Sequence, residues 1–416
     1  MSQEGNQLIG GVESRLGSYR DMPLLLDLPT ELLEFIFSFA CTDGGRAGRS
    51  LSLVSQYVRD ISAPFKLQSI ALLGTMQLLN FSAFLSRRPS LEAGTKFLYI
   101  GHPKTIGNDL FDIADCDARG QTGAFWNHWP GIHETIRELK HLGLQELVWG
   151  EDPRGQTAMG ALWFVSECAS NAIFHILNRI APTLEVLHIN VNKHVGHALL
   201  SRSASLSLPH LADLATANCF PMRFNVNDHD FRRVESMLVP NPQLRDLHII
   251  ETAVCDGGCT TDAFFSVRGI AHFAPELRTL RYSELGATST SQAIPACIAS
   301  GIGVGIDVED DIDPPNATVP LPKTLRDIVL KPAVGPWMQV GETASPLEMS
   351  RYASVVELAQ RLTQKALESE SPKRVVLLPT DEKELNKDDA ADEVYLPELD
   401  WLLDEWLATA HGWAWT

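Results

Sequence analysis

The sequence lacks any apolar run long enough to cross a bilayer, which takes roughly 18 residues or more. The nearest approach, residues 293–306, is interrupted by Pro295, Gly301, Gly303 and Gly305. The first residues, Met1 to Tyr19, are polar and rich in Gly and Ser. They contain no apolar core of a signal peptide, so no secretory signal is read there. Positive charge is also scarce. There are 34 Lys and Arg against 52 Asp and Glu, a formal net charge of −18. So acidic a chain has no general attraction for phosphate, which argues against nucleic acid and anionic membrane as main partners. The cysteines number seven, an odd count, and they are scattered. In a chain without a signal peptide this pattern suggests reduced thiols in the cytoplasm or nucleus.

Catalytic and cofactor signatures are missing as well. No nucleophile elbow of the type Gly-x-Ser-x-Gly, no P-loop and no His-Glu-x-x-His occurs. Cys255 and Cys259 form half a zinc site at best. His272 is near in sequence, but a structural zinc needs four ligands. Gly301, Gly303 and Gly305 are followed by the acidic run from Asp307 to Asp313, whose charge repels phosphate, so a flexible loop is the simpler reading. That run lacks the spacing of a calcium-binding EF-hand loop, and Pro314-Pro315 follows it. The expectation is a chain with no catalytic residues, no metal and no cofactor. His141, His188 and His248 read as strand-edge or surface residues.

What is present begins near residue 28. Helical periodicity runs from Leu28 to Ala40, with Pro29 suited to a first helical turn and Glu31 and Glu34 favouring the positive end of the helix dipole. Two apolar stripes run along it. Leu28, Leu32, Phe35, Ile36 and Phe39 make one; Leu33, Phe37 and Ala40 make the other. Two stripes exceed what a small domain covers by itself. Either the helix is buried all round by its own fold, or one stripe faces home and the other meets a partner. A second helix follows from Ser50 to about Ser62, with Leu51, Val54, Val58 and Ile61 at heptad-like spacing, and Ala63-Pro64 stops it.

Leu28-Pro29-x-Glu31-Leu32-Leu33-x-x-Ile36-Phe37, a short gap, and then Leu51-Ser52-Leu53-Val54-Ser55-x-x-Val58-Arg59-x-Ile61 together resemble the F-box. With the continuation from Ala63 to Leu72, the segment is similar to F-box proteins of mushroom-forming fungi. The resemblance covers about 40 residues, roughly a tenth of the chain. It implies a small helical bundle that docks on a Skp-type adaptor and through it on cullin and RING subunits. It also implies that Leu28, Pro29, Leu32, Leu33, Ile36, Phe37, Leu53, Val54 and Val58 are adaptor-binding residues. About half of these are expected at the partner surface, because hot spots are a minority of interface residues. Val58 stands where the family usually has a Trp nearby, which keeps a non-ligase interaction scaffold open as an alternative.

The rest of the chain repeats a motif of Leu, two residues, an apolar residue, one residue, then a β-former. The copies lead with Leu144, Leu184, Leu211, Leu244, Leu277 and Leu325, spaced 40, 27, 33, 33 and 48 residues apart. A proline precedes the last five: Pro182, Pro209, Pro242, Pro275 and Pro322. Residues 96–100 and 373–378 read as degenerate end members. Helical stripes lie between copies, at Ile173, Ile176, Leu177 and Ile180, at Phe231, Val234, Met237 and Leu238, and at Phe264, Val267, Ile270 and Phe273. One helix and one strand per unit predict an irregular leucine-rich-repeat-like α/β solenoid with a parallel sheet. A compact doubly wound α/β domain is the alternative. Residues 348–367 read as a helix, while Gly101 to His128, Gly286 to Pro320, Lys331 to Pro346 and Pro379 to Glu393 read as irregular.

The predicted organisation is a disordered 1–22, an F-box over 23–64, the solenoid over 65–395, and a C-terminal amphipathic helix and tail over 396–416 that caps the open end of the repeats. Joined, these readings suggest the substrate-recognition subunit of an SCF-type ubiquitin ligase, with an unidentified target protein on the strand surface. Candidate contacts are Glu146, Val148, Glu185, His188, Asp246, His248, Arg278 and Arg281; strand alternation lets only some face outward. An α/β hydrolase is the more distant alternative and would need Ser, His and an acid converging in a deep pocket.

Overall fold

Turn chemistry shapes the N-terminal head. A computed structural model describes residues 28–88, 94–101, 158–191, 193–200, 205–217, 220–224, 234–251, 264–265, 269–286, 293–306, 321–333, 335, 345–369, 371–380 and 400–410. Helix α1 (Thr30–Ala40) starts on the Pro29 carbonyl, which accepts from Leu32 and Leu33 N–H at 3.0 and 3.1 Å. Both Asp43 carboxylate oxygens accept from Ala47 N–H, at 2.9 and 2.8 Å, in the first turn of α2 (Arg46–Leu51). Ser55 caps α3 (Gln56–Ser62) by accepting from Val58 N–H at 3.2 Å. Gly48 lies against the chain leaving α3: a Cβ there would meet Lys66 Cα and carbonyl oxygen at 2.9 Å. The three helices close around Leu33, Phe37, Val58 and Ile61, with Leu28, Leu51 and Phe65 at the margin.

The head is not detached from the sheet. Gln68 Nε2 donates to the Ser38 carbonyl at 3.0 Å, and Gly44 N–H donates to Ser69 Oγ at 3.1 Å. Residues 69–73, at the end of the stretch that resembles F-box proteins and within the predicted solenoid, form the first strand, β1 (Ser69–Leu73). Strands β2 (Phe97–Gly101), β3 (Val186–Ile189), β4 (Asp213–Ala217), β7 (Asp246–Ile250), β8 (Thr279–Leu285), β9 (Asp327–Pro332) and β10 (Arg374–Leu377) follow it in chain order in one open sheet. Every pairing in that sheet is parallel. Strands β5 (Met222–Phe224) and β6 (Val234–Ser236) form a separate antiparallel pair.

The repeated motif has a physical explanation. Three of the leading leucines close a turn of the same kind: Leu211, Leu244 and Leu277 N–H donate to the carbonyls of Leu208, Asn241 and Ala274. In those three turns Pro209, Pro242 and Pro275 occupy the second position, where a fixed φ near −65° favours a type I or II turn. The second apolar residue then enters the sheet. Ile70, Leu98, Leu187, Leu214, Leu247, Leu280, Ile328 and Val375 align in register across all eight strands. Their side chains meet α4 (Thr75–Ser86), α5 (Ala158–Ile180), α6 (Lys193–Leu200), α7 (Ile270–Phe273), α8 (Ile294–Ile302) and α9 (Pro346–Glu368) in one large core.

Helix α9 carries a full capping box. Ser345 Oγ accepts from Glu348 N–H, and Glu348 returns its carboxylate to Ser345 N–H. Its buried stripe is Val355, Leu358, Ala359, Leu362 and Ala366, and Val355, Leu358, Leu362 and Ala366 are spaced three and four residues apart as one helix face requires.

Asn241 holds two units together. Its Nδ2 donates to the Leu208 and Leu211 carbonyls at 2.9 and 2.8 Å, and its Oδ1 accepts from Gln243 N–H. It is buried, so Asn241→Ala strands acceptors and a donor away from water. The expected cost is about 2–3 kcal/mol, read as a lower urea midpoint at an unchanged slope.

Three expectations are corrected here. Val234 to Leu238 is not helical: Val234–Ser236 is a strand, and Leu238 bridges to Leu206. Apolar residues three and four apart fit a short bulky strand as well as a helix. The irregular stretch from Gly286 to Pro320 contains α8, with Pro295 in its first turn and Gly303 at φ +75° as its left-handed C-cap. The C-terminal helix α10 (Asp400–Ala410) does not cap an open end of the sheet. It lies on the face opposite the main core, over β2, β3, β4 and β7. The proposed disordered residues 1–22 and the Leu144 copy lie outside the described residues.

Candidate functional site

Two surfaces carry chemistry, one on the head and one on the sheet. On α1 the stripe of Leu33 and Phe37 faces home and is fully buried, while Leu32, Phe35, Ile36 and Phe39 face water. Leu32 is 49% exposed and Phe39 62%. Phe35 and Phe39 pack edge to face at 4.8 Å, the spacing of an i, i+4 pair. Leu53, 83% exposed, and Val54 project from the turn after α2, and Tyr57 from α3. Tyr57 reaches the start of α1 through a 3.3 Å hydrogen bond between its hydroxyl and Thr30 Oγ1.

The nine expected adaptor-binding residues therefore divide. Pro29, Leu32, Ile36, Leu53 and Val54 are exposed, and Leu28 is half-buried. Leu33, Phe37 and Val58 are sealed in the head's own core and cannot touch a partner directly. Their part is to hold the outer stripe in place. Sequence reading left Phe35, Phe39 and Tyr57 out of the set. Phe35 and Phe39 belong to the same stripe as Leu32 and Ile36, and that periodicity was the available signal.

The second surface is the sheet face away from the main core. Register places Ala71, Tyr99, His188, Ala215, His248 and Arg281 in one row across β1 to β8. Helix α10 covers this row. Leu402, Leu403 and Trp406 pack on Tyr99, Val186, Ala215, Ala217 and Ile250. Trp406 meets the Tyr99 ring at 5.8 Å, and the head's loop comes close: a Cβ on Gly44 would lie 3.7 Å from the indole.

Beneath α10 lies a polar array. Glu405 accepts from Arg281 Nη1 at 2.6 Å, and the same oxygen lies 3.5 Å from His248 Nδ1. His248 Nε2 is 2.8 Å from Ser283 Oγ, and His188 Nε2 is 3.6 Å from Asp213. His188 and His248 are thus buried, not surface residues as alternation alone suggests, because a distant helix covers their face. Of the other candidate contacts, Glu185 pairs with Lys96 at 2.8 Å, Arg278 is exposed, and Asp246 lies partly buried one row away. Glu146, Val148 and His141 lie outside the described residues.

Burial pushes His248 below its ordinary value, outweighing the pull of Glu405 toward protonation, so its ring is neutral at pH 7. Burial alone would raise Glu405. The bond to His248 and the positive charge of Arg281 outweigh it and hold the carboxyl below its ordinary value. Burial raises Asp246 against a hydrogen bond from Thr279, with Asp213 adding repulsion.

For His248 and Glu405 the folded value lies below the unfolded one, so the unfolded chain binds protons first. Their contribution is complete above pH 6.5. It is lost first as pH falls through the histidine window, and then below 4.5 as Glu405 titrates. Asp246 works the other way, being relieved by acid only near its own range. His188 and Arg281 also face this array, so the upper window is read with His248→Gln. The melting temperature is expected to fall between about pH 7.5 and about pH 5, and to fall less in the variant. Equal slopes would remove His248 from the array.

Serine, imidazole and carboxylate in this order match the sequence of groups in a nucleophile triad. Ser283 is completely buried, however, and Arg281 holds the carboxylate. The acid arrives on the very helix that covers this face, so opening the face removes it. Burial pushes the Cys41 and Cys168 thiols up to about 11 and about 12, and neither they nor Cys297 form a disulfide. Among the described residues no three His, Cys, Asp or Glu converge as a metal site, and no helix is long and apolar enough to cross a membrane. Cys255, Cys259 and the acidic run after Ile306 lie outside the described residues. The fold defines an α/β protein with an eight-stranded, all-parallel open sheet and a three-helix head. No family model, curated protein or solved structure matches the chain.

Proposed function

We propose that the chain is the substrate-recognition subunit of an SCF-type ubiquitin ligase. In this reading α1 to α3 are the F-box, which docks on a Skp-type adaptor and through it on cullin and RING subunits. The eight strands and their helices are an irregular leucine-rich-repeat-like solenoid that holds a target protein. Ubiquitin transfer belongs to the other subunits, and this chain supplies proximity and orientation.

The observation that carries the reading is the division of α1. A closed core of Leu33, Phe37, Val58 and Ile61 leaves Leu32, Phe35, Ile36 and Phe39 in water, with Leu53, Val54 and Tyr57 also exposed on the same small head. A monomeric head gains nothing from so many exposed large apolar side chains; a partner helix that buries them does. The Leu-Pro-x-Glu-Leu-Leu opening puts the F-box ahead of other helical docking modules. The test is co-expression with a Skp-type adaptor and affinity purification of the full chain. Adaptor and cullin recovered in stoichiometric amounts support the ligase. A folded chain that brings down neither would leave an interaction scaffold.

A further inference from the structure

The sheet face under α10 is unusual as permanent core. It mixes leucine and tryptophan contacts with a charged pair, Arg281 and Glu405, and with His248. Among the described residues, Glu405 Oε2, Trp406 Nε1 and both His188 ring nitrogens are buried without a hydrogen-bond partner. A permanent core is normally selected against such groups, because each costs desolvation without return. The chain has also travelled to make this contact. Strand β10 ends at one edge of the sheet, yet α10 lies over strands nearer the other edge. Its bound face is a simple pattern: two leucines, an acid, and a tryptophan beside it.

We infer that this sheet face is a receptor for an amphipathic helix bearing a carboxylate beside a large aromatic residue, and that α10 is its intramolecular occupant, displaced by a target helix of the same chemistry. This identifies the kind of target that the proposed ligase subunit takes, and it rests on that reading only for the word target. The seated helix itself defines the ligand. Arg281 and His248 mark where the acid goes, and the Tyr99 side of the face marks where the indole goes. A neutral or basic residue in place of the acid would lose the ion pair that Glu405 makes with Arg281.

The test uses the full chain and a fluorescent peptide with the sequence of residues 400–410. Trp406→Ala weakens the resident helix while leaving the receptor face intact. The labelled peptide is expected to bind this variant at least tenfold more tightly than the wild type, whose face is occupied. Arg281→Ala added to Trp406→Ala is expected to remove that gain. Equal binding to wild type and variant, or no binding to either, overturns the inference. Should Trp406→Ala fold poorly, hydrogen exchange on the wild type decides. Displaceable α10 amides exchange well before those of β7 and β8, and equal protection overturns the idea. Leu32→Asp with Ile36→Asp leaves peptide binding unchanged, so loss of adaptor capture and loss of the helix receptor are separate results.

Discussion

Leu32→Asp combined with Ile36→Asp is expected to abolish adaptor capture while leaving the melting temperature of the chain within about a degree. Both side chains already stand in water, so the free protein loses little by the exchange. The complex loses a great deal. Each carboxylate would be carried into a dry helix–helix contact, and a central apolar anchor is commonly worth about 2 kcal/mol or more. Two such losses exceed about 4 kcal/mol, close to a thousandfold in affinity. Phe37 is the wrong residue for this experiment, because it fills the head's own core and its truncation would confuse unfolding with lost docking. Adaptor recovered with the double variant at wild-type yield would show that this face is not the docking surface.

Arg281→Ala is expected to release α10. Glu405 is almost fully buried, and Arg281 is its closest cation, at 2.6 Å. Stripping the partner from a buried charge typically costs about 3–5 kcal/mol. Here the molecule has two escapes. His248 can take up a proton, because removing the Arg281 charge takes away one of the influences that hold its value down. Alternatively, α10 lifts off and returns Glu405 to water. The second sets a ceiling on the loss, equal to the free energy that docks Leu402, Leu403 and Trp406. The expected result is therefore a modest fall in melting temperature but a large loss of amide protection confined to residues 400–410. Glu405→Gln added to Arg281→Ala should restore much of that protection, since the uncompensated charge is then gone. Wild-type protection of α10 in Arg281→Ala would show that the ion pair locks nothing.

The repeat region was highly legible because its information is local. The leading leucine, the proline before it and the apolar residue three positions on all act within one turn and the strand it feeds. That is why β3, β4, β7, β8 and β9 fall on their motif copies, while β2 and β10 fall on the degenerate end members. The same locality explains the failures. Val234 to Leu238 satisfies a helical spacing over too few residues to exclude a strand, and β1 carried no proline signal of its own. Helix α9, read as 348–367 and found as Pro346–Glu368, was legible to within two residues because so long a helix gives a stripe time to declare itself.

Local chemistry in the amino-acid order was enough for the strands, the turns and the existence of two stripes on α1. It was not enough for the direction each stripe faces. That depended on α3 and Phe65 folding back onto Leu33 and Phe37, contacts separated by about twenty residues or more. Nor did periodicity hold any trace of where α10 lands. The pairing of Glu405 with Arg281 spans 124 positions, and no pattern within a helix or strand encodes a partner so remote. Period and turn are properties of neighbouring residues, whereas the choice between water and a covering surface is made only when distant segments meet.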